Sequence, residues 1–250
     1  MKTIAIVQAR MGATRLPGKV LMDVAGKPVL WHVVDRVSLA RSLDGLVVAT
    51  SDRPADTVVE EYCRGIGVDV FRGSEDDVLD RFYRCAKEHN AGHIVRVTAD
   101  CPLHDPAVID YVVGAYRQGG CDYATNAIEY TFPEGFDTEV FSMAALEKAW
   151  KEARLPSERE HVTPYIRKHC RVRSVAAPKP YPVYRCSLDR PEDLEFVRRV
   201  FAGIGRERFG VDDVVTFLQS HPDVLAINQG AIINEGYLKS LKEDEKFRGG

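Results

Sequence analysis

The strongest constraint on the fold is an alternation that fills the first half of the chain. Short apolar runs rich in β-branched residues occur at 3–7 (TIAIV), 45–50 (GLVVAT), 68–71 and 93–97 (HIVRV). Between them, at 29–37, 55–66 and 77–89, apolar residues return every three or four positions, which is the period of a helix buried along one side. Pro28 suits the first helical position, where its missing N–H leaves nothing unsatisfied. Strand, helix, strand in succession requires crossover connections, so the expected fold is α/β: a mostly parallel central sheet flanked by helices. Such sheets bind ligands beyond the carboxyl ends of their strands. That rule places the segment after residue 7, Thr50 to Asp52 and Thr98 to Cys101 on one rim.

Beyond about residue 120 the rhythm loosens. An extended stretch at 122–126 leads into a turn-rich segment (TFPEGFD), an extended run at 138–142 and a helical pattern at 143–154. A second helical pattern covers 158–168, and VRSVAAPKPYPVYRCSLD reads as extended and proline-interrupted. Helices return at 191–202, with acids in the first turn, and at 211–220, while the tail KEDEKFRGG is expected to fray. No linker, repeat or low-complexity stretch divides the 250 residues, so we read one domain with an elaborated second half.

Charge and cysteine usage remove several classes of function. Lysine plus arginine number 34 against 37 aspartates and glutamates, a net charge of −3, so no global basic field is offered to nucleic acid or to an anionic membrane. No apolar run approaches the roughly 20 residues of a membrane span, and the start lacks the pattern of a secretion signal, so a cytoplasmic location is expected. Six scattered cysteines without a CxxC pair read as free thiols rather than a zinc knuckle or disulfide framework. His89 and His93 are four apart, but Gly92 and the strand pattern after it argue against a shared zinc face. Trp31 and Trp150 sit in amphipathic stretches and read as core or interface anchors.

Against this nearly neutral background QARMGATRLPGK stands out, with Arg10, Arg15 and Lys19 and no acid directly after a strand. It is not a Walker loop: Gly12 and Gly18 enclose five residues rather than four, and Val20 follows Lys19 where a hydroxyl is required. GxGxxG is also absent from the stretch. A glycine-bearing loop with three cations can hold a triphosphate through its N–H groups and side chains, or can be a solvated basic turn.

Other residues carry similar dual readings. Asp100, closing IVRVTAD, has its carboxylate at the ligand rim or makes an Asx turn before Cys101-Pro102; Asp189, in SLDRPEDL, suits a helix cap before Pro191. Glu134, Asp137 and Glu139 cluster in an extended stretch, with Asp137 and Glu139 on one face, and suit an amine, sugar hydroxyls or a base, or a solvated edge strand. Arg159 and His161 could hold an anionic acceptor, although His161 equally fits a cap or the core.

QARMGATRLPGK, ATSD (49–52), RVTADCPL (96–103), EGFDTEVF (134–141), EREHVTPY (158–165) and SLDRPEDLEF (187–196), with NEGYLKSL near the end, together resemble the bacterial cytidylyltransferase family. The similarity is strongest to spore-coat polysaccharide cytidylyltransferase-like proteins, relatives of the CMP-Kdo and CMP-sialate synthetases. The resemblance implies a Rossmann-like nucleotidyltransferase fold and Mg2+-dependent transfer of CMP from CTP to a small acidic or phosphorylated acceptor, such as a sugar acid, sugar phosphate or phosphonate. Pyrophosphate is released, and surface polysaccharide or glycan biosynthesis is the expected setting.

It also implies roles by position. Arg10 and Lys19 face the phosphates with Arg15 assisting, and Asp100 and Asp189 hold the metal. Gln8, Ala9 and Gly12, the rim at Ala49, Thr50, Ser51 and Asp52, and Asp77 and Arg81 of GSEDDVLDR form the nucleotide pocket. Glu134, Asp137, Glu139, Arg159 and His161 face the acceptor. In this frame residues 1–120 are the nucleotide-binding half, 121–190 the acceptor and dimerisation elaboration and 191–250 C-terminal helices, in an expected homodimer. Two alternatives stay open: a noncatalytic nucleotide-binding subunit, and a glycosyltransferase of related fold, against which the absence of a DxD motif in the first half counts.

Overall fold

The computed structural model describes residues 1–228, 230 and 235–249. The first half follows the alternation: β1 (Lys2–Gln8), β2 (Asp23–Val24), β3 (Lys27–Pro28), α1 (Val29–Ser38), β4 (Gly45–Ser51), α2 (Thr57–Gly65), β5 (Asp69–Gly73), α3 (Val78–Glu88), β6 (Ala91–Thr98) and α4 (Pro106–Arg117). The second half adds β7 (Tyr123–Thr125), β8 (Glu139–Ser142), α5 (Met143–Glu152), α6 (Pro156–His161), α7 (Pro164–His169) and β9 (Val172–Ser174). Four helices close the chain: α8 (Pro191–Ile204), α9 (Val211–Ser220), α10 (Pro222–Leu225) and α11 (Glu235–Gly249).

Seven strands form the main sheet in the order β5-β4-β1-β6-β8-β7-β9. β5, β4, β1 and β6 are parallel; β8 runs antiparallel to both β6 and β7, and β9 pairs parallel with β7. Because successive strand residues point to opposite faces, β1 divides its side chains between two cores. Ala5 and Val7 pack with α1, α2, α4, α8 and α9 on one face, whereas Ile4 and Ile6 pack with α3, α5 and α7 on the other. Both faces are thereby covered, as a parallel sheet requires.

Several expectations need revision. Pro28 is not the first helical residue but the N-cap of α1, its ψ of 149° still extended. The 55–66 helix opens with a 3-10 turn at Pro54–Asp56. The single helix read at 158–168 is two, because Val162 takes a φ of 69° and Pro164 starts α7 with its own first turn. Only Val172–Ser174 of the long extended stretch pairs as a strand. The tail is helical through Gly249, tied down where Asp244 accepts hydrogen bonds from the Ser157 N–H (2.9 Å) and hydroxyl (2.6 Å). Asn234, the first residue of NEGYLKSL, lies outside the described residues. Among the described residues no helix is long and apolar enough to cross a membrane.

Candidate active site

The carboxyl ends of β1 and β6 open into a cavity of about 820 Å³. Gln8 and Ala9 from β1 and its exit, Thr98, Ala99 and Asp100 from the end of β6, and Arg10, Arg15 and Lys19 of the basic loop share its wall. The loop is folded back on itself. The N–H groups of Ala13 and Gly18 both donate to the Met11 carbonyl (2.9 Å each), and Gly18 turns the chain with a φ of 74°, a conformation that suits glycine. A buried acid clamps the loop from below: Asp56 accepts from the Met11 N–H at 2.6 Å and from the Ser51 hydroxyl.

Lys19 is the centre of the charge arrangement. It sits in a 3-10 turn (Lys19–Leu21), its side chain only 11% exposed, and Nζ donates at 2.8 Å to each of three oxygens: Asp100 Oδ2, Asp189 Oδ1 and the Leu188 carbonyl. Burial alone would push the ammonium down, but the two carboxylates outweigh it and hold it above the usual lysine range. Burial would likewise raise Asp100; the adjacent Lys19 overcomes that and depresses it to about 2. Asp189 Oδ2 is bound by Arg15 (2.9 Å) and Arg185 (3.0 Å). Its capping alternative is taken instead by Asp193, which accepts from the N–H groups of Asp189 and Arg190 (2.9 Å each) at the start of α8. The Asp189 carboxylate is thus left to face the cations.

The second half supplies an acidic wall. β8 lies inside the sheet between β6 and β7, so Glu139 is not on a solvated edge. It is ion-paired with Arg96 and accepts from the hydroxyls of Tyr123 and Thr163 (2.6 Å each). Burial would raise it, but these partners keep it below the usual glutamate range. Glu134 pairs with Arg185 at 3.1 Å, both side chains less than a tenth exposed, yet burial keeps Glu134 above its ordinary value. Asp137 has no side-chain partner for Oδ1 among the described residues; burial first, then Glu134 and Glu139, push its carboxyl up to about 8.

Not every expected residue reaches this cavity. Gly12 lies beside Glu75, not on the wall. Ala49 and Thr50 are buried in β4, the Ser51 hydroxyl is spent on Asp56, and Asp52 is exposed away from the wall. Asp77 caps α3 by accepting from the Asp80 N–H (2.9 Å) and is bound by Arg159, which also donates to the Trp150 carbonyl (3.0 Å). Neither Asp77 nor Arg159 lines the cavity; they join α3 to α5 and α6. Arg81 does line it: buried, donating through Nη1 to the Ser74 carbonyl (2.7 Å), with Nε unpartnered among the described residues. Burial and the neighbouring Arg10 lower it to about 10. His161 is also on the wall, hydrogen-bonded to the Ser240 hydroxyl (2.9 Å), and burial holds it below the ordinary histidine range.

Reading the sequence missed Asp56, Arg96, Arg167 and Arg185. Arg96 was visible inside RVTAD, but its partner Glu139 is 43 residues away and only the β6–β8 register (Arg96↔Glu139) brings them together.

A family model described as cytidylyltransferase matches residues 4–204. The spore coat polysaccharide biosynthesis protein SpsF of Bacillus subtilis is 37% identical over 231 residues, spanning 87% of this chain and 94% of that protein. The structure of a cytidylyltransferase from Leptospira borgpetersenii superposes with a TM-score of 0.87 at 33% identity, covering 93% of this chain and all of that one. A CMP-2-keto-3-deoxy-manno-octonic acid synthetase complexed with CTP shares the fold, with a TM-score of 0.61 over 81% of this chain and 99% of its own, at 18% identity.

Proposed function

The chain belongs to the cytidylyltransferase family and is a CTP-dependent nucleotidyltransferase; from that premise we propose that it transfers CMP from CTP to a small acidic or phosphorylated acceptor, with release of pyrophosphate. The setting we assign is the making of surface polysaccharide or a related glycan, in line with the spore-coat relative.

The observation that carries the proposal is the pairing of Lys19 with Asp100 and Asp189 at the end of two parallel strands, beside Arg10 and Arg15. Attack on the α-phosphorus builds negative charge on its oxygens and on the departing pyrophosphate, and such a reaction needs fixed cations more than covalent chemistry. Lys19 and Arg10 supply them, and Arg15 is close enough to Asp189 to be released toward the phosphates. Arg81, buried with Nε unpartnered among the described residues, lines the same wall, and in this reading it binds the nucleotide.

Mg2+ fits the donor set. Magnesium takes one or two protein carboxylates and completes its shell with water and phosphate oxygens. Lys19 Nζ bridges Asp100 Oδ2 and Asp189 Oδ1 at 2.8 Å each, which brings the two carboxylates side by side, and both remain partly accessible from the cavity. When bound there, the ion would offset charge on the triphosphate; the chain's part is to hold the two carboxylates together and present Lys19 between them.

The wall contributed by α6, α7 and α11 suits an acidic acceptor. Arg167, Lys239 and Lys242 face the cavity there alongside Glu160 and Glu243. The test is pyrophosphate release from CTP across a panel of sugar acids, sugar phosphates and phosphonates. Release that needs CTP, magnesium and one such acceptor supports the proposal; activity only with a finished nucleotide sugar contradicts it.

A further inference from the structure

The acids at the sheet end of the cavity differ in one respect. Glu134 has Arg185, Glu139 has Arg96, and Asp100 and Asp189 share Lys19. Asp137 lines the same cavity with no cation and with Oδ1 unpartnered among the described residues. A carboxyl desolvated in this way is costly unless something it binds repays the loss.

Its backbone, by contrast, is held on both sides by buried polar groups. Asn126 spans the segment like a peptide, its Nδ2 donating to the Phe136 carbonyl (2.9 Å) and its Oδ1 accepting from the Thr138 N–H (2.8 Å). His104 is fully buried and reaches the Asp137 carbonyl through Nε2 at 3.0 Å; burial pushes it down to about 4, so the ring is neutral and donates from that nitrogen. Gly135 presses against the other strand of the site: a Cβ there would lie 2.7 Å from the Cys186 carbonyl carbon. The segment is thus rigid; the Asp137 carboxyl, on the cavity wall, accepts the Gly135 N–H, while its buried Oδ1 has no partner among the described residues.

We propose that Asp137 is the general base of the transfer, and that the nucleophile it serves is a hydroxyl of the acceptor. In this step, which rests on the cytidylyl-transfer reading above, the acceptor O–H proton passes to the Asp137 carboxylate while its oxygen bonds to the α-phosphorus. The bond from the α-phosphorus to the oxygen bridging to the β-phosphorus breaks, pyrophosphate leaves with that electron pair, and Asp137 later returns the proton to solvent. An anionic nucleophile is disfavoured at this place, because Glu134, Glu139 and Asp100 already surround the carboxylate that would receive it. The negative charge of an acidic acceptor belongs instead on the wall carrying Arg167, Lys239 and Lys242.

The pH profile isolates the group. Facing Asp137 are the carboxyls of Glu134, Glu139 and Asp100, the thiols of Cys101 and Cys186, the His104 ring, and the cations Arg96 and Arg185. Burial drives both thiols far above their usual value and His104 to about 4, while Glu139 and Asp100 are held low. Glu134 is raised by burial as well, against its ion pair with Arg185, whereas Asp137 has no cation and its carboxyl, pushed up to about 8, titrates between pH 7 and 9.

The experiment measures pyrophosphate release by the full chain with CTP and magnesium, using water, 3-deoxy-manno-octulosonate and methylphosphonate as acceptors. The expected result is release with the hydroxyl-bearing probes, rising with pH to a plateau above about 8. Asp137→Asn is isosteric and should lower kcat by roughly 10²–10⁴-fold and flatten the profile, leaving the stabilisation by CTP unchanged. Asp137→Glu should keep part of the rate and a displaced profile. A loss of about threefold or less in Asp137→Asn, release with methylphosphonate alone, or no release with any probe from a chain that binds CTP would overturn the assignment. Failure of CTP to stabilise the wild-type chain overturns instead the reading on which it rests. The wild-type profile needs no variant, so a folding defect in one leaves the test intact.

Discussion

Replacing Lys19 with methionine keeps most of the side chain's volume while removing the ammonium that Asp100 and Asp189 share. The magnitude follows from Asp100, whose carboxyl Lys19 helps to depress from 3.8 to about 2, a difference worth ~2 kcal/mol. Removing one partner of a buried pair typically costs about 3–5 kcal/mol because the other charge is stranded. Asp189 keeps Arg15 and Arg185, which reduces that cost. We therefore expect Lys19→Met to lose about 2–4 kcal/mol at pH 7, read as a lower urea midpoint at an unchanged slope. The sign of the pH dependence is set by Asp100: its folded value lies below the unfolded one, so the stabilisation is full above about pH 4 and disappears as pH falls toward 2. The gap between wild type and variant should therefore narrow from pH 4 to pH 3. Equal midpoints at pH 7, or a gap that stays constant down to pH 3, would refute the reasoning.

Three further outcomes follow from the same geometry. Gly135→Ala should destabilise by about 2–4 kcal/mol in urea melts, since φ is +95° and the new Cβ meets the Cys186 backbone, which cannot swing away. Asp189→Asn should abolish magnesium-dependent pyrophosphate release while its circular dichroism spectrum stays native; normal magnesium activation would remove Asp189 from the site. Asp137→Asn should gain stability on wild type as pH rises. Folding raises the Asp137 carboxyl from 3.8 to about 8, so the native state binds the extra proton and its stability falls through that window. Urea melts at pH 5 and pH 9 should show the stability of the variant relative to wild type growing between them by about 4 kcal/mol, from the roughly three units of the window that lie above pH 5.

What could be read in the sequence was what is local. Strand and helix periods of the first half are carried by consecutive residues, and β1, β4, β5 and β6 form where the apolar runs lie. α4 escaped although its signals are present: Asp105 as N-cap, Pro106 in the first turn, then Val108, Ile109, Val112, Val113 and Tyr116 on one buried face. The basic loop and both aspartates were legible as motifs, but not their joining. Lys19 meets Asp100 across 81 residues and Asp189 across 170, contacts that only the finished sheet creates. The rim rule was too generous to β4: Ser51 points at Asp56 and fixes the loop rather than facing the cavity. Arg159 and Asp77 were placed at different ligands from charge and motif, whereas folding pairs them with each other.

The central claim is that the basic loop and its aspartates form a site for CTP, and thermal stability with each of the four ribonucleoside triphosphates, with and without magnesium, tests it most directly. A ligand at a hundredfold excess over its Kd adds roughly 2.7 kcal/mol to the native state. The account predicts that CTP with magnesium raises the melting temperature well beyond ATP, GTP or UTP, and that Lys19→Met or Asp189→Asn reduces the rise. An equal rise with all four nucleotides, or none with any, would contradict it.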